Sequence, residues 1–207
     1  MQIIEWPQFL EDGLGPDKKP ASMTIGIFDG VHRGHRSLIE LVVSHNKNFI
    51  PVIITFRQNH KTMGKKQETE NNEQKNIEVV QKLKIPDNSI QTLNERLEIF
   101  SSLGIKATVV IDYTEEFRKM PGIEFFKILL KHVNIGFFAV GNDFRCGYKL
   151  DTGADEIKKI FTSNNIPVEF AQQVTEGLLP ISSSRIRAAI AAGDFSLAQA
   201  MLGYVIK

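Results

Sequence analysis

Two histidines flank a glycine three residues apart, His32 and His35 around Gly34. The stretch runs Thr24-Ile25-Gly26-Ile27-Phe28-Asp29-Gly30-Val31-His32-Arg33-Gly34-His35. An apolar β-like run ends in a Gly/Asp loop, and a helical pattern follows at once. On a first helical turn, residues three apart share a face. The free N–H groups and the dipole of that turn attract anions. Imidazoles there can donate hydrogen bonds to phosphate oxygens where negative charge develops. Gly34 leaves room for a ligand to come close. A two-histidine zinc site would need further ligands, and His45, His60 and His132 show no matching spacing.

A second group is Ile181-Ser182-Ser183-Ser184-Arg185-Ile186-Arg187. Serines ahead of a helical run are strong N-caps, and their hydroxyls and free N–H groups form another anion site. Arginine adds charge and bidentate donors. Arg185 and Arg187 lie about 200° apart on an ideal helix, so only one should enter a site on that face. Read in isolation, the segment is an ordinary cap with solvated arginines. A third group, Val140 to Gly147, is a strand end running into Gly141-Asn142-Asp143-Phe144, a polar loop with an aromatic inside. It could shape a ligand pocket. Cys146 has no cysteine neighbour, which makes it a small pocket or core residue rather than a nucleophile.

Positioning these groups takes alternating elements. Strands are expected over Ser22 to Phe28, Ile50 to Phe56, Lys106 to Asp112, Phe137 to Val140 and Pro167 to Phe170. Helices are expected over His35 to His45, Leu93 to Leu103, Ile123 to Val133, Asp155 to Asn164, Ser184 to Ala192 and Phe195 to Leu202. Gly104 should stop the second helix, and Pro121 lies near the start of the third. Gln58 to Asn76 is strongly polar and reads as a mobile loop. Strands that are mostly apolar throughout, alternating with helices, point to a doubly wound parallel sheet covered on both faces. Ligands bind such sheets at the carboxyl ends of the strands. The histidine loop, the segment after Phe56 and the Gly141 loop can all reach that edge.

Composition narrows the classes. The chain has 207 residues and 42% hydrophobic content, enough for one domain with a sizeable core. A net charge of +1 gives no sign of a nucleic-acid or membrane surface. One cysteine excludes an intramolecular disulfide and a cysteine-based zinc site. The reading is a cytoplasmic protein with no membrane span, no signal peptide and no obligate protein partner. There is no Gly-x-x-x-x-Gly-Lys-Ser/Thr loop, no Gly-x-Gly-x-x-Gly after the first strand and no Gly-x-Ser-x-Gly elbow.

Taken in order, the motifs resemble the nucleotidyltransferases with a His-x-Gly-His signature, and within them the FMN adenylyltransferase module of bacterial riboflavin kinase/FAD synthetases. That family reads Gly-x-Phe-Asp-Gly-Val-His-x-Gly-His, matched from Gly26 to His35. Its Thr-Phe strand end is Thr55-Phe56, and its Val-Gly-x-Asp-Phe-x-Phe-Gly loop is Val140 to Gly147 except at Cys146. Its Ser-Ser-Thr/Ser-x-Ile-Arg segment is Ser182 to Arg187, followed by Gly193-Asp194 and Leu202-Gly203. Where the family often has Pro-His-Pro, this chain has Gln58-Asn59-His60.

The resemblance implies a Rossmann-like, three-layer α/β/α nucleotidyltransferase fold spanning residues 1–207 as a single domain, without the family's riboflavin kinase domain. It implies transfer of AMP from ATP to FMN, giving FAD and pyrophosphate, with Mg²⁺ arriving on ATP and no protein-held metal. His32, His35 and Arg187 are its catalytic positions, and Arg185 falls at a variable one. Gly26, Ile27, Phe28, Asp29, Gly34, Thr55, Asn59, Gly141, Asp143, Phe144, Ser182, Ser183 and Ser184 are its nucleotide- and flavin-binding positions. Other outcomes stay open at this point: a related adenylyl- or cytidylyltransferase with another phosphorylated acceptor, or a flavin- or nucleotide-binding protein with weak catalysis.

Overall fold

Apolar side chains on both faces of each central strand force helices onto both sides of the sheet, and the strands alternate accordingly. In β2 (Ala21–Ile25) every residue is buried, with Ala21, Met23 and Ile25 facing one layer. In β3 (Ile50–Arg57), Val52 and Ile54 face that same layer while Ile53 faces the other. β4 (Ala107–Asp112) and β5 (Ile135–Gly141) divide their residues the same way. The computed structural model describes residues 1–17, 19–57 and 89–206. The Gln58 to Asn76 loop and Asn59 lie outside the described residues.

Six parallel strands form one sheet in the order β1-β4-β3-β2-β5-β6, with β1 at Gln2–Glu5 and β6 at Val168–Ala171. From β2 the chain moves outward through β3 and β4, then returns to place β5 on the opposite side of β2 and β6 beyond it. The order therefore reverses between β2 and β5, and the carboxyl ends there make a crevice. Helices α2 (Arg33–Ser44) and α3 (Leu93–Ser102) cover one face through Leu38, Ile39, Val42, Leu97 and Phe100. Helices α1 (Trp6–Asp12), α5 (Gly122–His132) and α6 (Ala154–Ser163) cover the other through Phe9, Phe126 and Phe161. The short α4 (Glu115–Arg118) follows β4.

A smaller third cluster lies beside the sheet. A two-stranded hairpin, β7 (Thr175–Glu176) with β8 (Leu179–Pro180), leads into α7 (Ser183–Ala191) and α8 (Phe195–Leu202). Ile186, Met201 and Leu202 are fully buried between these helices. Tyr204 fastens the cluster to the sheet by donating its hydroxyl to the Gly30 carbonyl at 2.7 Å.

The doubly wound, three-layer α/β/α expectation matches this architecture. The sequence reading omitted β1, α1, α4 and the β7–β8 hairpin. It carried β2 to Phe28, whereas the strand ends at Ile25, because Phe28, with φ of 57°, leaves the extended conformation. It began α2 at His35, whereas the helix starts at Arg33 with His32 as its cap.

Candidate active site

The turn after β2 is the centre of the site, and its backbone is unusual. Phe28, Gly30 and Val31 have φ of 57°, 81° and 32°. Left-handed conformations at two non-glycine residues occur only where surrounding contacts enforce them. Here the turn drives the Phe28 ring inward until it is 1% exposed. The ring meets Phe100 at 5.5 Å and the edge of His35 at 5.2 Å between centroids. A buried platform thus stands behind His35.

His32 caps α2. Its Nδ1 accepts the His35 backbone N–H at 3.3 Å, so the neutral ring carries its proton on Nε2. The two imidazoles stack with centroids 3.5 Å apart and planes 15° from parallel. Burial lowers the His32 pKa to about 4. Burial also holds His35 well below the ordinary histidine value, and the nearby His32 and Arg96 push it the same way. Both rings are neutral donors at physiological pH. A Cβ on Gly34 would touch the His32 ring at 3.4 Å, so the glycine keeps that face open.

The shifted histidine makes stability depend on pH. The unfolded ring takes up its proton near 6.5, whereas the folded one does so only near 4. Between those values the unfolded chain binds more protons, so stability is fully present above about pH 6.5 and lost as pH falls. At 1.36 kcal/mol per unit this amounts to about 3 kcal/mol. Chemical denaturation at pH 7 and pH 4.5 is expected to show a larger loss for the wild-type chain than for His32→Asn, and equal losses would refute the assignment.

Asp29, 3% exposed, joins three parts of the site. Its Oδ1 accepts the backbone N–H groups of Ile90 and Gln91 at 2.8 and 3.2 Å. Its Oδ2 accepts Arg187 Nη1 at 2.7 Å. The Arg187 Nη2 donates to Ser184 Oγ at 3.2 Å. Ser183 Oγ donates to the Asp29 carbonyl, and Ser182 caps α7 by accepting the Arg185 N–H. Arg185 turns away: its guanidinium donates to the carbonyls of Glu176, Leu179 and Pro180 on the hairpin.

These elements enclose one cleft of about 860 Å³. His32, His35, Gly34, Ser182, Ser183, Ser184 and Arg187 line it, so the N-termini of α2 and α7 converge on a shared space. Gly26, Ile27, Phe28, Asp29, Gly141, Asp143 and Phe144 also line it. Thr55 does not. It is fully buried beneath the floor, and its hydroxyl donates to the Ile27 carbonyl at 3.1 Å, so any effect on a ligand passes through that carbonyl. Away from the helix ends, Phe56, Tyr113, Phe117, Met120 and Phe125 make the wall apolar. Cys146 lies on the wall too, and burial pushes its thiol up to about 12, which leaves it an unreactive thiol.

The sequence reading missed Tyr113, Phe117 and Arg96. The first two belong to a polar, turn-rich stretch in which an aromatic at one end of α4 carries no distinctive spacing. Arg96 did leave a signal: it lies on the stripe of α3 shared by Leu93, Leu97 and Phe100, where a cation is out of place.

The doubly wound parallel sheet with a cleft at its switch point is a Rossmann-like α/β arrangement, consistent with a nucleotidyltransferase fold. A family model for FAD synthetase matches residues 15–185, and the chain belongs to that family. The bifunctional riboflavin kinase/FMN adenylyltransferase of Escherichia coli K12 is 28% identical over 184 residues, 88% of this chain and 54% of its own length. The FAD synthetase of Listeria monocytogenes is 27% identical over 91% of this chain and 70% of its own. The chain thus spans about half the length of the bifunctional relatives it matches. A crystal structure described as a macrolide-efflux protein from Streptococcus pneumoniae has a TM-score of 0.76 at 22% identity. It covers 100% of this chain and 61% of that one, and the likeness is one of fold.

Proposed function

We propose that this chain transfers the adenylyl group of ATP to FMN, releasing FAD and pyrophosphate. One observation carries the reading: two helix N-termini, two neutral imidazoles and Arg187 converge on a cleft whose other wall is aromatic. The polar end suits a triphosphate. The aromatic wall suits a flat, apolar ring system, and the volume lies within the range of small-molecule sites. The names of the relatives in Escherichia coli and Listeria point the same way.

The chemistry needs little covalent help. A phosphate oxygen of FMN attacks the α-phosphorus of ATP in line, the bond to the bridging oxygen breaks, and pyrophosphate leaves. The nucleophile is already ionised at neutral pH, so no strong base is required. His32 and His35 donate to the oxygens on which charge accumulates, and Arg187 with the α7 N-terminus holds the outer phosphates. Among the described residues no group of three or more His, Cys, Asp and Glu is arranged to hold a metal. Mg²⁺ is proposed to enter on ATP, as a hard cation held by phosphate oxygens and water. Among the described residues no helix is long and apolar enough to cross a membrane, and a cytoplasmic setting, where ATP is abundant, is part of the proposal.

Incubation of the purified 207-residue chain with FMN, ATP and Mg²⁺ is expected to yield FAD and pyrophosphate by chromatography. Riboflavin with ATP serves as the control. Flavin or ATP binding without FAD would instead indicate a binding protein. Absence of flavin binding would indicate another phosphorylated acceptor.

A further inference from the structure

Arg96 is the most completely buried cation among the described residues, 2% exposed at the foot of the site. Every hydrogen bond it makes among those residues goes to an uncharged oxygen. Nη1 donates to the Ile27 carbonyl and, at 3.1 Å, to Thr55 Oγ1. Nη2 donates to the Phe56 carbonyl at 3.2 Å. Nε is buried without a partner. Burying a guanidinium on neutral acceptors is costly, and a core helix position could have been filled by leucine. The arrangement calls for a purpose beyond packing.

The geometry points to one. We propose that Arg96 is a positioning residue for the histidine pair, its forked guanidinium locking the ends of β2 and β3 together so that the turn after Ile27 presents His35 at one fixed place. The Ile27 carbonyl is held from two sides, by Arg96 and by Thr55 Oγ1. Ile27 immediately precedes the left-handed Phe28, whose ring backs His35. A loosened carbonyl would release that turn, and His35 would lose the surface it rests on. Sub-ångström placement is what a charge-stabilising donor needs.

Two variants test the fork. Arg96→Lys keeps the cation but cannot span three acceptors. It is expected to fold, to shift the His35 ring signals in imidazole nitrogen–proton NMR spectra, and to lower kcat roughly tenfold with KM for ATP within about threefold. Ring signals and kcat both within error of wild type would overturn the proposal. Arg96→Met removes the fork altogether, and its His35 ring signals are expected to shift at least as far as those of Arg96→Lys. Ring signals within error of wild type in Arg96→Met would likewise overturn the proposal. Should Arg96→Met fail to fold, the ring signals of Arg96→Lys decide. The kcat readout rests on the proposed FAD synthesis, whereas the ring signals do not. A chain that makes no FAD but shows the shifted His35 would refute that activity and leave the role of Arg96 standing.

Discussion

Replacing His32 by asparagine is expected to lower kcat for FAD formation about a hundredfold while leaving the fold almost as stable at neutral pH. The two effects should separate because the cap and the proposed donor use different nitrogens of the His32 ring. Its Nδ1 caps α2 by accepting the His35 N–H. Asparagine is among the best N-cap residues and can restore that bond, so the capping contribution of about 1 kcal/mol is kept. The Nε2–H, the ring's remaining donor, is lost, and loss of one donor to developing charge costs on the order of 10²–10³ in turnover. His35→Ala should lower kcat by a similar factor, and its stacking partner would lose a face that now sits 3.5 Å away. Because the rings touch, the double variant should cost less than the product of the singles. Steady-state kinetics with varied ATP, alongside thermal unfolding, checks all three. Unchanged turnover in both single variants would remove the pair from the chemistry.

The histidines could be read from sequence because their chemistry is local: two residues, one glycine and a helix start within a few positions. What the sequence concealed was their support. The helix was expected to begin at His35, yet it begins at Arg33 and the His32 side chain is its cap, a task usually given to Ser, Thr, Asp or Asn. The strand before it was carried too far because Ile27 and Phe28 continue the apolar run, and hydrophobicity does not report a positive φ. β1 was overlooked for a different reason. Only Ile4 of its four residues is buried, and its partner β4 lies about a hundred residues further on. Short edge strands carry too little alternation to be seen. The β7–β8 hairpin, two residues per strand, is held by tertiary contacts, among them the bonds from Arg185. Asp29 was assigned to ligand binding, and it does line the cleft. Its carboxylate is also engaged by three donors from two distant segments, a pairing that only the folded chain brings about.

The two arginines of the final motif should part company. Arg187→Ala is expected to reduce kcat/KM for ATP by roughly ten- to a hundredfold, the range for removing a charged phosphate contact at about 1.4 kcal/mol per tenfold. Arg185→Ala should leave ATP use within about twofold and lower the melting temperature by a few degrees, since it removes bonds to hairpin carbonyls. The contrast follows from direction. α7 turns Arg187 toward the cleft, where Asp29 and Ser184 hold it beside the helix N-terminus, and Arg185 outward to the hairpin. Asp29→Asn then distinguishes a held arginine from a merely present one. Its neutral side chain can still accept the Ile90 and Gln91 N–H groups, but it no longer pairs with the Arg187 charge. KM for ATP should rise in this variant, less than in Arg187→Ala, because the guanidinium persists and only its orientation is lost. A rise in Arg185→Ala that matches Arg187→Ala would show that the face assignment of α7 is wrong.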